Sequence, residues 1–543
     1  VSDKIDMRRL PKPTGGRLSA DRTQVLPRNE QERTLTEMLA EVLKTDDIFV
    51  EDNFFDHLGA NSLIMARFCA RVRTRPEWAS TSMRDIYTYP SIAQLGEYLS
   101  SATASEPIAD EIVLTHRASN FAYWLTGAAQ LAFYGVYTYV GLWLFNYGLV
   151  WLYEKLDNPL ALYIRCVILS GAVFFAMTGF AVAAKWTLVG RWKEEIFPIW
   201  SWRYYRFWVV KTLIRGAPVV LFRGSPLYSL YLKLLGAKLS SSAVIESKSV
   251  PVCTDLISIG HNTILRKETL IPGFRAQAGY IHTGRITIGN DAFVGVGSAL
   301  DIDTKIGDRG QLGHGSSLQR GQEIPAGEHW HGSPAIKSDA DYSKVRGVTL
   351  SRSRRIIYEA VQLIFLFTVI TPLPLIAQTY WENLADDYQE TLGLVAAGSF
   401  VVELGGLVLV LMLAIGLPRL FRPFLETGKT YSMYGVHYFM QSVVESVSNS
   451  RLMNLLFGDS SAIVHYIRAI GWNLNTWVQT GSNFGTNTQH DNPFMCEIGS
   501  RTMVSDGLYM INLHKSASSF SIAPTKIGRP DVPWTRVSPV VAW

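Results

Sequence analysis

Ile288-Gly289-Asn290-Asp291-Ala292-Phe293, Val294-Gly295-Val296-Gly297-Ser298-Ala299, Leu300-Asp301-Ile302-Asp303-Thr304-Lys305, Ile306-Gly307-Asp308-Arg309-Gly310-Gln311 and Leu312-Gly313-His314-Gly315-Ser316-Ser317 are five consecutive hexads. An aliphatic residue opens each one. Glycine or another small or polar residue often follows, and a small residue often sits fifth. This period predicts a left-handed parallel β-helix, in which each hexad forms one face of a triangular coil and its aliphatic residue points inward. Earlier hexads open at Leu239, Ile245, Ile259 and Leu265.

The same plan returns downstream. Ile470-Gly471 matches Leu235-Gly236, and Leu474, Thr480, Ile498, Val504 and Met510 open hexads. Ile259-Gly260 and Ile288-Gly289 are separated by the same interval as Ile498-Gly499 and Ile527-Gly528. The second run stops at Trp543 without its later coils. An unfinished parallel β-helix exposes an open edge, so the sequence leads us to expect a longer parent chain.

Apolar stretches stand before each β-helix. Phe121 to Tyr153, Cys166 to Ala184, Ala360 to Trp381 and Leu392 to Pro418 are each long enough to cross a bilayer, which takes about 20 apolar residues. They pair as two hairpins. The connection between the second pair carries Glu382, Asp386, Asp387 and Glu390, while the outer ends carry Lys185, Arg191, Lys193, Arg352, Arg354, Arg355, Arg419 and Arg422. Positive ends stay in the cytoplasm. Both hairpins are therefore expected to enter a cell membrane from the cytoplasm and return. Glu403, within the fourth stretch, has two readings: a polar path through the membrane, or pairing with a polar group on a neighbouring helix.

Composition agrees with a mixed soluble and membrane chain: 48% of the 543 residues are hydrophobic and mean hydropathy is +0.11. A net charge of +5 does not suggest nucleic acid. Cys69, Cys166, Cys253 and Cys496 have neither metal nor disulfide spacing and read as apolar fillers in a reducing compartment. The opening residues do not read as a secretory signal, so none is expected here.

The N-terminal part is of another kind. Leu35, Met38, Leu39, Val42 and Leu43 recur at helical spacing after Asn29, a capping residue. Asp56-His57-Leu58-Gly59-Ala60-Asn61-Ser62-Leu63 then turns at Gly59 and leads into an apolar-striped helix to Val72. Ser62 is placed near the helix start with its hydroxyl exposed. The plain alternative is an N-cap serine. Helices at Met83 to Tyr87 and Ile92 to Leu99 close a small bundle.

This stretch resembles the peptidyl carrier domain of nonribosomal peptide synthetases. The resemblance implies a phosphopantetheine cofactor on Ser62, installed by a phosphopantetheinyl transferase. Ala60 and Asn61 stand where the family usually has glycine and an acidic residue or histidine. Ser2-Asp3-Lys4-Ile5-Asp6-Met7-Arg8-Arg9-Leu10-Pro11 resembles the last motif of an adenylation domain, with Lys4 at its lysine and Asp3 in place of glycine. The resemblance implies the rest of an adenylation domain as a partner. Trp330-His331-Gly332-Ser333-Pro334-Ala335 resembles the tail of hexapeptide acyltransferases.

The order of parts resembles the ε-poly-L-lysine synthetase family. The fold class expected is multidomain: an all-α four-helix carrier domain, α-helical transmembrane hairpins and left-handed parallel β-helix (hexapeptide-repeat) domains. The divisions expected are an adenylation-domain tail and linker at 1–24, a carrier at 25–102, hairpins at 119–190 and 355–420, a connector and β-helix at 191–345, and a connector and incomplete β-helix at 421–543. The resemblance implies a condensing portion that joins a carrier-bound amino acid to a free amine, making a short homopolymer. The carrier and β-helices would face the cytoplasm beside the lipid bilayer. Two alternatives stay open: a hexapeptide acyltransferase using a carrier-bound acyl donor, and a non-enzymatic scaffold that docks the carrier.

Thioester aminolysis often needs a base, and histidine is the usual candidate. The first β-helix offers His261, His282, His314, His329 and His331; the second offers His465, His490 and His514. Superposing the matching Ile-Gly pairs places His282 opposite Ser521 and Arg275 opposite His514. His282 and His514, both at the break before the later hexads, are the catalytic candidates. The modules are expected to share a fold but not a role.

Overall fold

The computed structural model describes residues 25–45, 47–75, 78, 81–104, 115–247, 249–387, 392–474, 479–480, 484–499, 502–504, 507–528 and 540–542. Residues 1–24, with Lys4, lie outside the described residues. The chain separates into two compact units, 1–114 and 115–543.

Among the described residues of the first unit are four α-helices, Glu30–Leu43, Ser62–Val72, Met83–Thr88 and Ile92–Ala104. Asn29 caps the first, and Ser82 with Asp85 forms a reciprocal capping box on the third. Their apolar stripes meet in one core around Leu35, Leu39, Phe54, Met65, Phe68, Ile86 and Leu95, all fully buried.

In the second unit each module is introduced by apolar helices. Asn120–Tyr153 and Pro159–Leu188 form the first pair. The latter starts before the expected Cys166 and takes in Arg165, which pairs with Glu154 at 3.0 Å. Three helical spans among the described residues are long and apolar enough to cross a membrane: Pro159–Leu188, Arg352–Trp381 and Ala396–Phe424. Asn120–Tyr153 is not one of them, although it is long, because its many tyrosines and tryptophans lower its hydropathy. It nonetheless exposes Trp124, Leu131, Tyr139, Leu142 and Tyr147.

Pro372 does not end the second span. A π turn at Leu366–Ile370 carries the helix into Pro372–Asp387. Proline has no N–H to give to the carbonyl four residues earlier, that of Thr368. The Tyr163 hydroxyl donates to that carbonyl instead, at 2.7 Å, and ties the two hairpins together. Glu403 lies exposed on the last apolar helix.

The first module is a parallel β solenoid. Leu239, Ile259, Ile288, Ile306 and Ile324 align across one sheet, and Ile245, Leu265, Val294, Leu312 and Trp330 across a second. Ala299–Leu300 pairs with Ser317–Leu318 on the third face. The aliphatic residues fill the interior. The glycine after them answers to stacking. A Cβ at Gly289, Gly295 or Gly307 would meet backbone atoms of the next coil at 2.5 to 2.8 Å. The fourth hexad position turns the corner: Asp291, Gly297, Asp303, Arg309, Gly315, Gly321 and Gly327 all have φ between 52° and 77°. Glycine, asparagine and aspartate tolerate that region best.

The second module repeats the plan. Leu474, Ile498 and Ile527 align, as do Thr480 with Val504 and His490 with Met510. Its connectors also match: Trp200 and Tyr434 share a left-handed φ of 59° and 57°. Val540–Ala542 runs antiparallel to Leu508–Met510, so on that face the open edge expected from the sequence is paired.

The modules pack on each other. Val244, Ile264 and Phe293 of the first join Tyr431, Met433, Tyr434, Tyr438 and Phe520 of the second in one core. All four cysteines are free and buried.

Candidate functional site

Ser62 is the first residue of its helix, not the cap. Asn61 takes the capping position, its side-chain oxygen accepting from the Ile64 N–H at 3.0 Å. Gly59, at φ 63°, makes the turn that precedes it. The cap being filled by Asn61, the Ser62 hydroxyl is left exposed, accepting one hydrogen bond from the Tyr87 hydroxyl at 2.9 Å. Tyr87 stacks on Phe55 with ring centroids 4.9 Å apart, fixing that donor. Leu63 is 63% exposed beside it. A phosphodiester on Ser62 would sit at a helix N-terminus, where unpaired N–H groups and the helix dipole favour an anion. The residues present therefore fit the phosphate end of a phosphopantetheine group.

The β-modules hold the remaining candidates apart. His282 lies on Tyr280–Thr283, in register with Ile196 on one side and Arg275 on the other. His514 lies on Leu513–Lys515, in register with Ser521. The two antiparallel hairpins thus superpose with Arg275 matched to His514 and His282 to Ser521. Burial, helped by Lys344 and Arg266, pushes the His514 pKa down to about 4. His314 is pushed down to about 3 by burial and Arg266; its Nδ1 accepts from the Val296 N–H at 2.9 Å. Burial does the same to His490, to about 3, and its Nε2 lies 2.9 Å from the Ser448 hydroxyl. His261 bonds Ser240 at 2.6 Å. His331 lies 3.3 Å from Ser316, and His329 and His465 sit on a strand and a helix respectively.

Sequence reading missed a set of buried charges between the modules. Lys515 meets Glu246 at 2.6 Å, and Lys267 meets Asp491 at 2.8 Å and also Glu445. Arg266 lies 3.5 Å from Glu246 and 3.8 Å from Asp491. Their only signal in the sequence is a charge placed directly after an inward aliphatic, as at Ile245-Glu246 and Leu265-Arg266-Lys267.

Residues 33–99 match the family described as Phosphopantetheine attachment site. The chain is 22% identical over 529 residues to the Delta-poly-L-ornithine synthetase of Acinetobacter baumannii, covering 92% of this chain and 39% of that protein. It thus spans about two fifths of that relative. A linear gramicidin synthase of Brevibacillus parabrevis is 34% identical over 103 residues, 19% of this chain and 2% of that one. A hexapeptide-repeat containing acetyltransferase from Vibrio cholerae aligns at 17% identity and a TM-score of 0.16, over 31% of this chain and 93% of that chain. The chain therefore carries a phosphopantetheine carrier domain and is, over most of its length, similar to a poly-amino-acid synthetase.

Proposed function

We propose that this chain is the carrier and condensing portion of a nonribosomal peptide synthetase that joins amino acids into a short homopolymer. Ser62 is the attachment point. The group it carries supplies a terminal thiol on which an amino acid is held as a thioester. Tyr87 orients the serine oxygen, Asn61 leaves it exposed by taking the cap, and Leu63 offers an apolar surface to the modifying transferase. The adenylation domain that loads the amino acid carries Lys4 in its last motif, Ser2 to Pro11, where it acts on the acyl-adenylate as a positive charge. Tethering raises the local concentration of the loaded amino acid at the β-modules. There a free amine would attack the tethered acyl carbon, the C–N bond forming as the C–S bond breaks and the thiol is released, with His282 or His514 accepting the amine's proton. Asn120–Tyr153, through its exposed aromatic and apolar side chains, crosses the cell membrane together with the three apolar spans, and the carrier and both left-handed β-helices stand on its cytoplasmic side.

The observation that carries this reading is the exposed Ser62 hydroxyl at a helix start, within the matched carrier span. With a phosphopantetheinyl transferase and coenzyme A, the chain should gain one arm by mass spectrometry. Ser62→Ala should gain none. An equal gain in that variant would refute the assignment. The stacked parallel coils favour a second reading, transfer of a carrier-bound acyl group to a different acceptor. The mass of the product from the full parent protein separates the two, and a loaded chain that yields no product at all would leave a docking scaffold.

A further inference from the structure

A cavity of about 200 Å³ lies where the modules meet. The first module contributes Glu246 and Lys267, and the second contributes Glu445 and Lys515; Tyr358 and Gln362 of an apolar helix close it. Behind this lining stand Arg266 and Asp491, each almost wholly buried. Arg223 lines the cavity as well, so four cations and three carboxylates are gathered here. Burying such a set costs more than packing apolar residues of the same volume, so stability alone gives no reason for it.

The cluster also retains unused bonding capacity. Glu246 Oε1 accepts from Lys515, but its Oε2 is buried with no hydrogen-bond partner. Arg266 Nη2 is likewise buried without one. Glu246 is 5% exposed and lines the cavity. Burial works against its charge, but Lys515, Arg266 and Lys267 hold its pKa below the ordinary carboxylate value. Carboxylates and ammonium groups therefore face one small space side by side.

We propose that this cavity holds the acceptor of the condensation, a free α-amino acid bound through its zwitterionic end. The proposal rests on the condensing function above. The α-ammonium donates to Glu246 and Glu445, and the α-carboxylate accepts from Lys515 and Lys267. Where the amino acid has a side-chain amine, that group stays free to be acylated. The site arises once per junction, because the modules contribute unlike faces. Glu445, Asp491 and Lys515 correspond to Lys211, Val252 and Ala276 in the first module, by the matched connectors, Ile-Gly pairs and hairpins. By the hexad spacing of the sequence alone, Glu246, Arg266 and Lys267 correspond to Gly481, Ser505 and Asp506, which lie outside the described residues.

The test uses the full chain purified in detergent, carrying Ser62→Ala so that no arm takes part. Equilibrium dialysis measures binding of labelled L-ornithine, L-lysine and L-2,4-diaminobutyrate, with putrescine as the probe that lacks a carboxylate. At least one amino acid should bind, and putrescine at least tenfold more weakly. Ser442→Leu fills the cavity from the helix Val436–Ser448 without removing any of these charges, and should weaken binding more than tenfold. Glu246→Gln should do the same, and Ser446→Leu replaces Ser442→Leu if that variant does not fold. Absence of binding by all three amino acids, or unchanged binding in a folded cavity-filling variant, overturns the proposal. Binding in a chain whose loaded form makes no amide would refute the condensing function alone. Normal amide formation with an unchanged acceptor KM in Ser442→Leu would refute the cavity alone.

Discussion

Lys515 Nζ donates a 2.6 Å hydrogen bond to Glu246 Oε1, joining the second module to the first through two side chains hidden from solvent. Removing either partner strands a buried charge, which typically costs about 3–5 kcal/mol. Removing both leaves Arg266 and Lys267 balanced by Glu445 and Asp491. Lys515→Met and Glu246→Met should each lower the thermal midpoint markedly, and the double variant should recover much of the loss. A double variant as unstable as the sum of the singles would show that the pair does not act as a unit.

The carrier makes a sharper prediction about its serine. Residues 25–104 form a unit with its own core and can be tested alone. Tyr87→Phe removes one exposed hydrogen bond and should still accept the arm. Asn61→Ala removes the helix cap and should cost about 1 kcal/mol of stability. Ser62→Ala should keep its stability and lose modification. Thermal melts and intact mass distinguish the three.

Three histidines, His490 buried and His314 and His514 partly buried, set a pH dependence. His314, His490 and His514 have pKa values held at about 3, 3 and 4, against about 6.5 in an unfolded chain. Between pH 6.5 and these values the unfolded state binds more protons than the folded one. Stability is then complete above about pH 6.5 and falls as the pH drops, by about 1.4 kcal/mol per pH unit for each histidine. The midpoint of the second unit should fall steeply from about pH 6.5 to about pH 5, and His490→Gln should flatten that slope. A flat profile in the wild type would mean that these rings are not buried neutral.

Charge asymmetry predicts the side on which each loop lies. Single cysteines at Asp157 and Asp386 should react with an impermeant thiol reagent in intact cells, and one at Ser338 should react only after lysis. The four native cysteines are buried and add little background. Labelling at Ser338 alone in intact cells would invert the arrangement.

His282 and His514 occupy unmatched positions in matched hairpins, so divided roles predict unequal losses of product rate in His282→Ala and His514→Ala, with Ser62 loading unchanged. Equal, severe losses would indicate two equivalent sites. A third outcome, no loss in either, would remove both from the chemistry.

The carrier and the solenoid were legible in the sequence because their cores obey short-range periods. A hexad places Ile288, Ile306 and Ile324 in one interior row whatever surrounds the coil, and Gly59 with Asn61 decides locally that Ser62 starts a helix exposed. Three of the four apolar stretches were legible as helices long and apolar enough to cross a membrane, because a bilayer needs length and apolarity. What the sequence could not decide is the junction. Glu246, Lys267, Glu445, Asp491 and Lys515 come from both modules, up to 269 residues apart along the chain, and each alone reads as an ordinary surface charge. Only the packing of the two modules buries them together, because the ion pairs form across a contact that no local period encodes. The repeat also predicted that His282 and His514 take unmatched positions in matched hairpins, but the burial and neighbouring cations that lower the His514 pKa belong to the tertiary structure.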